Sequence, residues 1–134
     1  MEFGQVNFLA VLVAAIVGFM VGPLWYGPMF GKQWQELTGV TEEQGKKMGM
    51  KPIIVTFVGF LFLSYAIARV MSFGPMVGIQ WGIMVAMLVW ILVMAPLMLS
   101  QVLYQNQPTK LWAIDASFRL VTTLIIGIIL GLWS

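Results

Sequence analysis

No charged residue stands between Phe3 and Gly31, and none between Val70 and Thr109. A helix needs about 20 mostly apolar residues, at roughly 1.5 Å of rise each, to cross the hydrocarbon core of a bilayer. Runs this long cannot be hidden inside the core of a 134-residue soluble domain. Charged residues make up 9% of the chain and hydrophobic ones 60%, against roughly 25% charged in an ordinary soluble domain. The sequence therefore predicts one all-α domain over residues 1–134, an integral membrane bundle of four transmembrane helices in up-down order, with the lipid bilayer as its surroundings.

The first span is expected at about 5–26. Pro23 and Pro28, around Leu24, Trp25, Tyr26 and Gly27, should end or kink it at the interface, where Trp and Tyr concentrate. It begins behind Glu2 and not behind Lys or Arg, and its apolar run is too long for a signal peptide, so it is expected to remain as a span. The second span is expected at about 52–73, followed by a turn at Ser72, Phe73, Gly74 and Pro75. A third at about 77–104 should kink at Pro96, and a fourth follows at about 110–133. The connection 31–51 carries seven of the twelve charged residues. Within it Thr41, with Gln44 three residues on, forms a capping box that starts a short helix, and Trp34 and Leu37 suit the headgroup region.

The fourth span, opening on Lys110 and Trp112, places an acid and a base in lipid. Counted from Lys110 as the membrane edge, Asp115 lies about 7 Å deep and Arg119 about 13 Å. Insertion scales charge either residue about 2.5 to 3.5 kcal/mol at a helix centre, so both must face protein or water. One reading is a structural ion pair at i and i+4 that holds the bundle while Arg119 snorkels. The other is an ion or substrate path, with Thr122 and Thr123 continuing the polar face. Arg69, about 27 Å along its helix from Lys51, is expected to snorkel at the opposite surface with Tyr65 as its hydroxyl or cation–π partner.

The chain has no cysteine and no histidine. Thiolate chemistry, disulfides, the commonest general base and the commonest metal ligand are therefore missing. No catalytic residue, metal site or cofactor is assigned, and the chain is expected not to be an enzyme. The net charge of +2 is small and scattered, which excludes nucleic acid as a partner. Small residues recur every four positions in three seams: Ala10, Ala14, Gly18 and Gly22; Gly78, Gly82 and Ala86; Thr123, Gly127 and Gly131. In a bundle of four helices one of the three is expected to face outward, for self-association or for docking on a larger membrane complex.

Two blocks resemble a known family. They are NFLAVLVAAIVGFMVGPLWYGPMFGKQW from Asn7 to Trp34, followed closely by LTGVTEE, and the closing KLWAIDASFRLVTTLIIGIILGLW. Their order and spacing resemble the bacterial domain of unknown function family numbered 1761, small proteins predicted to have four spans. The resemblance implies this architecture in a bacterial plasma (inner) membrane and supplies no activity or catalytic residue.

Two functions remain open: a channel- or transporter-like homo-oligomer with a polar site at Asp115 and Arg119, or a structural or accessory subunit docking through its seams. Lys32, Lys46, Lys47, Lys51 and Lys110 flank the first and third connections, and only Arg69 lies opposite, so both termini are expected outside. Alkaline phosphatase fused at the C-terminus should be active in intact cells and inactive when inserted in the 31–51 connection. The reverse pattern would invert the topology.

Overall fold

A computed structural model describes residues 5–74 and 78–133; Glu2, the turn proline Pro75 and the expected span start at Val77 lie outside them. The elements are α1 (Phe8–Leu24), a π turn (Trp25–Met29), α2 (Gly31–Thr38), α3 (Glu42–Lys47), α4 (Lys51–Ser72), α5 (Ile79–Val89), a second π turn (Trp90–Met94), α6 (Ala95–Tyr104) and α7 (Thr109–Trp133). No strand occurs among the described residues. Taken through their π turns, four helices are long and apolar enough to cross a membrane: Phe8–Met29, Lys51–Ser72, Ile79–Tyr104 and Thr109–Trp133. The protein is a multi-pass, all-α membrane bundle.

Helix starts follow local chemistry. Asn7 caps α1, its side-chain oxygen accepting from the Leu9 and Ala10 N–H groups at 3.1 and 3.2 Å. Thr41 and Gln44 form the expected reciprocal box at the start of α3. Pro52 sits in the first turn of α4, where its missing N–H has no partner to lose. Gly39 ends α2 in the left-handed region at φ 75°, which a side chain would oppose.

The prolines are accommodated within the spans. Pro23 and Pro28 do not end the first span near Tyr26; the helix runs on to Met29. A proline cannot donate to the carbonyl four residues back and its ring presses against it. The chain answers by widening one turn, so that the Phe30 N–H reaches Trp25 O, five residues back, at 2.8 Å. At Pro96 a wide turn again precedes the ring, and the Ala95 N–H bonds Trp90 O.

The central post is α7. It packs on α1, α4, α5 and α6, and 44% of its apolar window is buried, against 22–28% in the other spans. The core gathers Ala10, Ala14, Phe60, Ile67, Phe118, Ile126 and Leu130 around it. Where α5 crosses α7 the main chains touch. A Cβ on Gly82 would strike the Gly127 carbonyl, one on Gly127 the Gly82 carbonyl, and one on Gly131 the Gly78 carbonyl. Ala86 is buried in the same crossing. In the first seam Ala10 and Ala14 are fully buried, Gly18 faces Ile126 and Phe60, and Gly22 faces Phe118. All three seams thus face inward, and the expectation that one is left for an outside partner is corrected: the helices of one chain use them up.

Replacing Gly82 by Ala should lower the thermal unfolding midpoint in detergent, by the roughly 1 to 3 kcal/mol typical of overpacking, because main chain cannot step aside. Gly59→Ala, where a Cβ would have no neighbour within 4 Å, should leave it unchanged or raise it slightly. Equal behaviour of the two variants would contradict the crossing.

Candidate functional site

At the end of the bundle nearest the 31–51 connection the spans line an open cavity of about 830 Å³. Phe19, Gly22 and Tyr26 line it from the first span, Ile53, Thr56 and Phe60 from α4, Met94, Met98 and Gln101 from the third span, and Asp115, Phe118 and Arg119 from α7. The walls are chiefly apolar. Its polar side chains are Tyr26, Thr56, Gln101, Asp115 and Arg119.

Asp115 and Arg119 do not close on each other as an ion pair. The Tyr26 hydroxyl donates to Asp115 Oδ1 at 2.6 Å, the length of a charge-assisted O–H···O⁻ bond. Tyr26 is held in turn by edge contacts with Trp34 of α2 and with Phe118, at 5.8 and 5.1 Å between ring centres. The Arg119 guanidinium carbon lies 5.6 Å from the centre of the Phe60 ring and 5.3 Å from that of Phe118. Aromatic faces attract a cation at this range. Among the described residues no carboxylate is in ion-pair contact with that guanidinium. Trp34 of α2 reaches the bundle through this contact with Tyr26.

Three indoles fix the height of this cluster. Trp25 Nε1 donates to Ile114 O at 3.1 Å and Trp90 Nε1 to Ala116 O at 2.9 Å, the carbonyls on either side of Asp115. Trp112 Nε1 donates to Ala95 O at 3.0 Å. In lipid an indole N–H has no water to meet, so each has taken a main-chain acceptor.

The other expected site residues lie elsewhere. Thr122 and Thr123 do not continue a polar path: both are fully buried. The Thr122 hydroxyl donates back to Phe118 O at 2.9 Å and to Arg119 O at 3.1 Å, and that of Thr123 meets Met94 Sδ at 3.6 Å. Arg69 sits in the last turn of α4, away from the cavity, where its Nη2 donates to the Tyr65 hydroxyl at 2.8 Å and its guanidinium stands 5.2 Å from the ring centre. Among the described residues no group of three His, Cys, Asp or Glu could hold a metal ion.

The chain belongs to the family described as "Protein of unknown function (DUF1761)", whose model matches residues 9–131. No curated protein and no solved structure matches it.

The Tyr26 to Asp115 bond should show in a double-mutant cycle of unfolding free energies for Tyr26→Phe and Asp115→Asn. Hydrogen bonds to charged groups are worth about 1.5 to 3 kcal/mol, so coupling of that order is expected. Additive single effects would mean that the two groups do not meet.

Proposed function

We propose that this member of a family of unknown function is a transporter-like membrane protein that takes a small ligand into the cavity from the side of the 31–51 connection. One observation carries the reading: Asp115 and Arg119 open into a cavity instead of closing on each other in a dry helix contact. A pair kept only as glue would satisfy both charges within the bundle, since a half-satisfied buried pair is worse than an apolar one. Here the carboxylate is met by tyrosine, and the guanidinium by two ring faces.

The opposite half of the bundle favours a carrier over an open pore. Ile67, Ile126, Leu130 and the glycine crossing of α5 with α7 fill it at close range. A site reached from one side and sealed from the other is one state of an alternating-access cycle. The two π turns border the cavity, and such turns are places where helices bend. By its lysines, the 31–51 connection is taken as cytoplasmic. We take the activity as non-enzymatic, since the cluster offers charge and hydrogen bonding in a chain without Cys or His. All four spans of one chain contribute to its walls. The accessory-subunit alternative loses its sequence basis, because its docking seams are spent inside the bundle.

The cysteine-free chain allows a direct test. Met98→Cys, in the cavity, should react with a membrane-impermeant maleimide from the side of the connection. Ser64→Cys, whose native hydroxyl is buried and donates to Val11 O, should react slowly from the opposite side as the bundle opens there. Labelling of Met98→Cys with no reaction at Ser64→Cys would leave a one-sided binding site and end the transport reading.

A further inference from the structure

We infer that the cavity takes a zwitterionic amphiphile of the aminophospholipid kind, its ammonium on Asp115, its phosphate on Arg119, and its chains leaving between α4 and α6. This rests on the cavity being a ligand site, but not on any movement of the ligand across the membrane.

The first ground is unmet hydrogen bonding. A guanidinium carries five N–H donors in a planar fork that fits carboxylate or phosphate. The rings of Phe60 and Phe118 attract the Arg119 cation, yet accept from none of these donors in the ordinary sense. No described residue provides an acceptor for them. Among the described residues, however, no buried side-chain nitrogen or oxygen lacks a partner. The Arg119 donors are therefore open to the cavity it lines, and so is Asp115 Oδ2, since Tyr26 occupies Oδ1.

The second ground is charge. One carboxylate and one guanidinium sum to zero in a mostly apolar cavity. A ligand bearing only an anion would bring like charge beside Asp115, and one bearing only a cation would face Arg119; a zwitterion pairs both.

The third ground is order. Asp115 is the nearer to the connection-side surface, and Arg119 lies one turn, about 6 Å, deeper on the same helix. Phospholipids of that leaflet present their groups in the same sequence, with the terminal ammonium outermost, the phosphate beneath it and the chains toward the midplane. The walls below the charges are Phe19, Phe60 and Met94. Across the cavity, α4 packs on α1, α5 and α7 but has no comparable contact with α6. Exposed Ile53 and Leu97 stand at the two margins of that gap. Thr56 and Gln101 are the polar side chains that α4 and α6 contribute to this cavity; the remaining lining of the two helices is apolar. A primary ammonium can also donate N–H to Asp115 Oδ2, which a quaternary one cannot.

The test uses the purified full-length chain in lipid-depleted detergent and follows the unfolding midpoint as short-chain lipids are added, since a ligand of the folded state raises it. Phosphatidylethanolamine should stabilise the wild type with an apparent affinity roughly tenfold or more above phosphatidylglycerol and phosphatidylcholine, the size expected from one charge-assisted hydrogen bond. Asp115→Asn should erase that preference while keeping the phosphatidylglycerol response. Arg119→Lys, which keeps the charge and loses the fork, should weaken all three lipids. Equal stabilisation by phosphatidylglycerol and phosphatidylethanolamine, or an ethanolamine response untouched by both substitutions, would overturn the assignment. Phosphoethanolamine without chains, if it stabilises as well as the lipid, would show a soluble ligand and overturn the amphiphile. A failed lipid response beside two-sided cysteine labelling would refute this inference and spare transport; the converse would refute transport alone.

Discussion

A carboxylate and a guanidinium on one helix inside lipid must be surrounded by protein, and that requirement puts α7 at the centre of the bundle. Each neighbour meets it with something specific. The first span brings the Tyr26 hydroxyl to Asp115, α4 brings the Phe60 ring to Arg119, and two indoles approach the carbonyls of Ile114 and Ala116. A helical carbonyl already accepts one N–H and keeps a second lone pair, so the indoles gain partners while α7 loses none of its own bonds. The outcome is a helix whose height and rotation are fixed on both sides of Asp115.

The prolines contribute to this indirectly. In water a helix broken by proline can hand its freed carbonyl to solvent, but in hydrocarbon it cannot. A turn widened to five residues keeps the chain helical through Pro28 and up to Pro96. Trp25 and Trp90 are the first residues of those two wide turns, and both aim at α7. The same local accommodation that rescues the backbone thus supplies the anchors for the polar cluster.

The four spans and the capping box at Thr41 were legible in the sequence because each depends on composition or on spacing along a single helix. The partner of Asp115 was not. Spacing of i and i+4 suggested Arg119, yet Tyr26, counted from Lys32, lies at about the same depth as Asp115 counted from Lys110, roughly 8 Å by helical rise. Depth was available; the rotation of one helix against another was not, since no periodicity within a helix encodes it. Thr122 and Thr123 misled for a different reason. A threonine in lipid can satisfy its hydroxyl on its own helix, as Thr122 does at Phe118 O, and then needs no polar path beyond it. The seams showed which faces were small, but not that those faces would meet each other.

The glycine crossing explains both halves of the bundle. Gly78, Gly82 and Ala86 let α5 lie with its main chain against α7, and there the interior closes. Beyond Ala86 the same span continues through Trp90, Leu92, Met94, Leu97 and Met98. Of these, Trp90, Met94 and Met98 are partly buried against the bundle, and the cavity opens where the glycines stop. Two kinds of contact therefore hold the closed half: main chain on main chain at Gly82 and Gly127, and side-chain packing elsewhere. The first span is held by the second kind. Its inner face is Ala10, Ala14 and Gly18 against Phe60 and Ile126, with a buried hydrogen bond from Ser64 Oγ to Val11 O, and it ends in a wide turn. At that end the Trp25 indole on Ile114 O and the Tyr26 hydroxyl on Asp115 tie it to α7, so the position of the first span is coupled directly to the polar cluster.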